Sequence, residues 1–175
     1  AEAAGFGPFK EACQRSAFLS KADLSTGMVG EFPTLQGVMG REYAIHDRET
    51  PVVCQALGEY YQPGTPEDNI PKTQVGQLLS LADRLDTLAA FFHVGMVPSG
   101  SEDPFALRRQ AFGLVRILVE ATLHVNLIDL LRQAEQLLEK QGVPSVISSE
   151  AEEVKARIEP LPALVEFLAE RLRFF

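Results

Sequence analysis

The chain is short of the residues that usually announce chemistry. Its 175 residues contain two cysteines, Cys13 and Cys54, and three histidines, His46, His93 and His124. Two cysteines so far apart make neither a disulfide framework nor a CxxC pair, and they predict reduced thiols in a cytoplasmic protein. Positive charge is scarce as well: 16 Lys and Arg face 24 Asp and Glu, a formal net charge of −8. Phosphate contacts supply much of nucleic-acid affinity, so any RNA contact has to come from a local basic patch. No apolar run reaches the roughly 20 residues that span a bilayer, and no membrane partner is expected. The opening AEAAGFGPFK lacks the basic-then-apolar layout of a signal peptide. A Gly-rich phosphate loop, a CxxC…CxxC array and a serine nucleophile elbow are all missing. So are internal repeats, low-complexity tracts and alternating strands of useful length.

What is there reads as helices. With 46% hydrophobic and 23% charged residues the composition is that of an ordinary globular domain. A first helix is predicted over Phe9–Leu24, where steps of about 100° put Phe9, Ala12, Cys13, Leu19 and Leu24 on one face, with Ser16, Ser20 and Asp23 among them. The segment STGMVG (Ser25–Gly30) reads as a turn. Pro33 then opens a second helix to about His46, burying Leu35, Val38, Met39 and Ile45, with Glu42 and His46 projecting the same way. A third helix starts at Pro51 and ends in QPGTPEDNIP (Gln62–Pro71). From Gln74 to Phe92 a stripe of Val75, Leu78, Leu79, Ala82, Leu85, Ala89 and Phe92 carries Asp86 near its middle. After a loop from Val94, Asp103-Pro104 reads as the start of a fifth helix running to about Leu123. A sixth covers Leu127–Lys140, stopped by Gly142 and Pro144. The tail from Glu150 is helical but divided by Pro160 and Pro162. The fold class is all-α.

Asp23, Glu42, His46 and Asp86 thus fall on otherwise apolar faces. A buried carboxylate needs a partner, and helix N-termini, backbone groups, nearby Arg or Lys, or a metal can each supply one. His46-Asp47 spells the HD dipeptide of metal phosphohydrolases, but three histidines without ligand spacing do not build such a centre. On the fifth helix Phe105, Phe112, Val119 and Leu123 share a face, with Arg109 and Arg116 at its edge and Arg108 on the other flank. These arginines either pair with the inward carboxylates or offer guanidinium forks to a phosphate.

Three blocks in sequence carry the reading further: LSKADLSTGMVGEFPTLQGVMGREYA (Leu19–Ala44), LADRLDTLAAFFHVG (Leu81–Gly95) and PSGSEDPFALRRQAFGLVRIL (Pro98–Leu118). Together they resemble the β subunit of the bacterial heterotetrameric glycyl-tRNA synthetase, closely from about Phe9 to Lys140 and loosely in the acidic tail. The resemblance implies an HD-domain-like helical bundle over residues 1–141 and a helical extension, 142–175, that starts a following region. It implies an internal fragment of a longer subunit, lacking the N-terminal tRNA-interacting domains and the C-terminal anticodon-binding domain. Matched to the HD superfamily, the HD position falls at Lys21-Ala22-Asp23, and the last Asp of the pattern at Asp83 or Asp86. Lys21 stands where a ligating His would be, and an ammonium coordinates no cation. The implied site is therefore a vestigial pocket of Lys21, Asp23, Glu42, His46, Asp83 and Asp86, with no metal and no catalytic residue.

By the same resemblance, the whole enzyme joins glycine to tRNA-Gly using ATP with Mg. Activation falls to the α subunit. This fragment is expected to bind no cofactor, to be inactive alone, and to support tRNA positioning while holding the α subunit and the remaining β domains. Arg108, Arg109 and Arg116 are its candidate RNA contacts. Two other readings stand beside this one. A metal-dependent HD-type phosphohydrolase is disfavoured by Lys21 and the few histidines. A pure protein-interaction scaffold would show no salt-dependent response to tRNA.

Overall fold

The computed structural model describes residues 9–98, 102–121, 123, 125–145 and 159–173. Among them eight α-helices form and no strand: α1 (Lys10–Leu19), α2 (Gly27–Glu31), α3 (Val38–His46), α4 (Pro51–Glu59), α5 (Gln74–His93), α6 (Leu107–Glu120), α7 (Leu127–Lys140) and α8 (Pro160–Leu172). The all-α expectation holds. The chain divides into two compact units, Ala1–Ala82 with Ile117–Leu123, and Asp83–Arg116 with His124–Phe175.

In the first unit Ala44, Val53, Cys54, Leu57, Tyr60 and Leu79 form the core, with Ala12, Leu19 and Tyr61 packed against it. α1 stops at Leu19, short of the predicted Leu24. The Ser20 hydroxyl takes the Ala17 carbonyl at 2.7 Å, and Lys21 follows in the left-handed region at φ 64°, which cannot continue an α-helix. Asp23 is buried as predicted, but on a 3-10 turn (Ala22–Ser25) rather than a helix. The expected turn STGMVG is in part helical: Thr26 Oγ1 accepts the Val29 N–H at 3.3 Å and starts α2.

The second predicted helix is interrupted at Gly37, whose φ is +78°; a Cβ there would also lie 2.9 Å from the Tyr61 ring. A break of this kind resets the helical register, so spacing read across it misassigns the inward face. Ala44 is the buried residue of α3. Val38 and Ile45 are exposed and Leu35 and Met39 half-buried, which corrects the predicted inward set.

α5 starts directly after the two backbone amides that Glu59, at the end of α4, takes. The buried Glu59 carboxylate accepts from the Thr73 N–H (2.8 Å), the Lys72 N–H (3.2 Å), the Thr73 hydroxyl and Gln55 Nε2 (3.3 Å). Thr73 Oγ1 in turn accepts the Gly76 N–H at 3.1 Å. Glycine is required at 76, because a Cβ would run into Glu59 Oε1 and stand 2.8 Å from its Cγ.

In the second unit Asp103 starts α6, though from further back than Asp103-Pro104 suggests. Its two oxygens accept the N–H groups of Leu107 (2.7 Å) and Arg108 (2.9 Å). The buried stripe of α6 is Leu107, Ala111, Leu114, Val115 and Ile117, whereas Phe105 and Val119 are exposed; the predicted Phe105–Phe112–Val119 face is thereby corrected. On α5, Arg84 is buried and Ala82 and Asp86 are exposed, so the inward stripe runs through Leu81, Arg84, Leu85 and Leu88. Pro160 opens α8 at its first turn instead of dividing a helix. The predicted helical start of the tail, 150–158, lies outside the described residues. Phe167 of α8 packs against Phe92 with centroids 5.1 Å apart and ring planes tilted by 56°, and the Arg171 guanidinium sits 3.6 Å from the Phe167 centroid.

Removing the Glu59 cap is expected to unfold the chain at lower urea. Glu59→Ala removes the acceptor of two partly buried amides at a cost of about 1–3 kcal/mol, and Gly76→Ala overpacks the same seat at about 1–3 kcal/mol. In urea titrations both midpoints fall with little change in slope.

Candidate functional site

Asp23 is the polar group that the first unit is built around. It is 4% exposed, and both carboxylate oxygens are engaged. Oδ2 accepts the Gly37 N–H at 2.7 Å, at the start of α3, and Oδ1 accepts the Tyr61 hydroxyl at 3.2 Å. Next to it the Tyr60 hydroxyl accepts the Lys21 backbone N–H at 3.0 Å, and the two tyrosine rings lie 4.0 Å apart, tilted by 34°. Burial, then the neighbouring Tyr61, pushes the Tyr60 hydroxyl far above the usual phenol range; burial also raises Tyr61. The site is thus a network of neutral phenols around one carboxylate, closed onto backbone amides.

The residues predicted to share this pocket are distributed differently. Lys21 and Asp23 do come together, Lys21 through its backbone N–H on Tyr60 while its side chain is exposed. Glu42 is exposed and paired with Arg41, Oε1 to Nη2 at 2.7 Å. His46 is exposed over 86% of its side chain, with Nδ1 3.0 Å from Asp47 Oδ1. Their predicted inward direction rested on the register that Gly37 breaks. Asp83 and Asp86 belong to the second unit, Asp83 half-buried and Asp86 exposed. Among the described residues no three His, Cys, Asp or Glu side chains converge as around a metal ion.

The arginines also separate. Arg109 is exposed. Arg116 is half-buried, as is Arg108, whose Nη1 donates to the Glu102 carbonyl at 3.2 Å. The buried guanidinium is Arg84, which sequence reasoning passed over. Its Nη1 donates to Gln110 Oε1 at 2.8 Å, and it lies against Gly113, where a Cβ would come within 2.6 Å of Nη1. Burial pulls Arg84 down to about 10, against the opposing effect of Asp83. A signal for Arg84 was present in LADRLD: it follows Leu81 and precedes Leu88 on one helical stripe. Tyr60 and Tyr61 carried no periodic signal, since adjacent residues point to different sides of a helix.

Other chemistry is limited. Burial raises both thiols, Cys13 and Cys54, which favours the unreactive protonated form. A cavity of about 10 Å³ lined by Phe92, His93, Leu131 and Leu164 has room for one water molecule and none for a nucleotide. His93 beside it is held by Nε2 donating to the Val143 carbonyl at 3.1 Å; His124 lies outside the described residues. None of the described helices is long and apolar enough to cross a membrane.

Comparison with known proteins gives one family. The model of the glycyl-tRNA synthetase beta subunit matches residues 2–175. A glycine–tRNA ligase beta subunit of Desulforamulus reducens is 44% identical over 154 residues, covering 85% of this chain and 22% of that protein. That of a Janthinobacterium species is 49% identical over 121 residues, 69% of this chain and 17% of the relative. That of Lactiplantibacillus plantarum is 55% identical over 111 residues, 63% of this chain and 16% of the relative. The chain spans about a fifth of the length of these curated relatives.

Two outcomes test the site. Asp23→Ala is expected to cost about 2–3 kcal/mol by chemical denaturation, because it leaves the Gly37 N–H without its acceptor and removes one partner of the Tyr61 hydroxyl. The raised tyrosines stabilise the fold fully below the unfolded phenol value of about 10, and that contribution is lost as pH rises above it. Arg84, lowered in the folded state, acts in the opposite sense over the same range. Phenolate absorbance should therefore show Tyr60 and Tyr61 ionising together with alkaline unfolding rather than before it. Tyr61→Phe removes one of those two late phenolates, and an early full signal from all three tyrosines would contradict the burial of the pair.

Proposed function

Because the chain belongs to the glycyl-tRNA synthetase beta-subunit family, we propose that it is a non-catalytic, HD-like helical module of a longer β subunit. The reaction it serves joins glycine to tRNA-Gly with ATP and Mg in the cytoplasm, with activation on the α subunit. The observation that carries this reading is the state of Asp23, at the position of an HD-type ligand. One oxygen is committed to the Gly37 amide and the other to Tyr61, and the left-handed Lys21 turns the chain just before it. The residue that would hold a metal in an HD hydrolase is here the joint between a turn and α3. Its role is to fix shape, and the shape presents the module's surface to tRNA, to the α subunit and to the rest of the β subunit.

Within that reading, the start of α6 is the candidate RNA contact. Arg109 is exposed and shares a face with Arg116 two turns on, while the Glu102 carbonyl steadies Arg108. Local guanidinium forks suit single phosphates on a chain whose net charge is −8.

The test is a titration with tRNA-Gly at several salt concentrations, wild type beside Arg108→Ala and Arg109→Ala. Each phosphate contact removed is expected to weaken binding and lower the slope of log affinity against log salt by about one. Binding that both substitutions leave unchanged would reduce the module to a scaffold for protein partners.

A further inference from the structure

The helical glycines of this chain divide into two kinds. Those in longer helices each seat a side chain: a Cβ on Gly58 would meet Arg41 at 3.1 Å, one on Gly76 would run into Glu59, and one on Gly113 would lie 2.6 Å from Arg84. Gly27 and Gly30, both in the five-residue α2, differ. Their backbone is ordinary, and among the described residues no atom beyond their chain neighbours and their own helix backbone comes within 4 Å of the space a Cβ would fill. Glycine weakens a short helix, and here no turn and no internal packing requires it. The side chains around the pair are apolar and uncovered: Met28 is 42% and Phe32 54% exposed, one helical turn apart, and Leu24 and Val38 flank them exposed as well. α2 is held to the chain by a single buried side chain, Val29.

We infer that α2 is a docking face for another part of the same β polypeptide, whose apolar surface closes directly on the backbone at Gly27 and Gly30. This rests on the reading of the chain as a module of that subunit. The matched relatives carry about four fifths of their length outside this region, which supplies the occupant. Its chemistry follows from the face. No Lys or Arg occurs in sequence between Lys21 and Arg41, and Glu31 is exposed on α2 itself, so this stretch offers a phosphate backbone no cation of its own. The four half-exposed side chains offer roughly 300–400 Å², well short of the roughly 800 Å² per partner that a free-standing complex such as a dimer needs. A tethered segment of the same polypeptide meets no such threshold, because the linker supplies a high effective concentration.

Met28 is a built-in reporter. The full-length β subunit is treated with hydrogen peroxide and sulfoxide is read at Met28 by peptide mass spectrometry, with the denatured subunit as the unprotected reference. Met28 in the folded β subunit alone is expected to oxidise about tenfold more slowly than that reference. Gly30→Leu has room within the chain, so α2 stays folded by circular dichroism while the protection is lost. Full-rate oxidation of Met28 in a subunit that supports glycylation of tRNA-Gly with its α partner would overturn the docking face and leave the family role intact. Failure of that assembled enzyme to glycylate overturns the family role itself. Protection appearing only with α subunit, with tRNA or with rising protein concentration would assign a different occupant and overturn the inference.

Discussion

Three carboxylates placed on backbone amides at helix starts hold this chain's helices in register. Asp23 takes the amide at the head of α3, Glu59 those at the head of α5, and Asp103 two at the head of α6. Each supplies what a helix start lacks, an acceptor for donors with no partner inside the helix, and adds negative charge at the positive end of the helix dipole. Asp23 and Glu59 do this across 14 residues of chain, so they are tertiary ties as much as caps. The inward acids of an acidic protein are thereby spent on architecture.

That use of carboxylates bears on function. The sequence left the partner of Asp23 open among helix N-termini, backbone groups, nearby Arg or Lys, and a metal. In the structure the backbone amide of Gly37 and the Tyr61 hydroxyl take its two oxygens. With each oxygen accepting one such bond, Asp23 ties the turn at Ala22–Ser25 to the head of α3 and to Tyr61. The chain's one deeply buried cation, among the described arginines, is Arg84, and it too is turned inward, onto Gln110 and Gly113.

The all-α class was legible because α5, α6 and α7 have long apolar periodicities bounded by glycine, proline and capping residues, whereas α2 was read as a turn. The burial of Asp23 and of Ser16 was legible too, and the helix-N-terminus partner of Asp23 was one of the alternatives the sequence left open. The region from Ser20 to Gly37 was not. Its direction depends on a lysine in the left-handed region and a glycine at φ +78°, and neither belongs to a hydrophobic pattern. From that break follow the misplaced faces of Glu42, His46 and Ile45. Arg84 escaped because a charged residue in a helix is read as solvent-facing, although a long stem can bury it when a glycine on the opposing helix makes room.

The glycine seats have a consequence for how the sequence can drift. Glu59 with Gly76 and Arg84 with Gly113 are lock-and-notch pairs, in which a methyl at the notch forces the lock to shift, and Arg41 with Gly58 is a looser one. Gaining a methyl at the notch first requires a shorter lock, and a shorter lock first leaves a void and stranded donors. Either single step passes through a less stable intermediate, so the two positions of each pair are expected to change together or not at all, as valleys that a lineage crosses only in one stride.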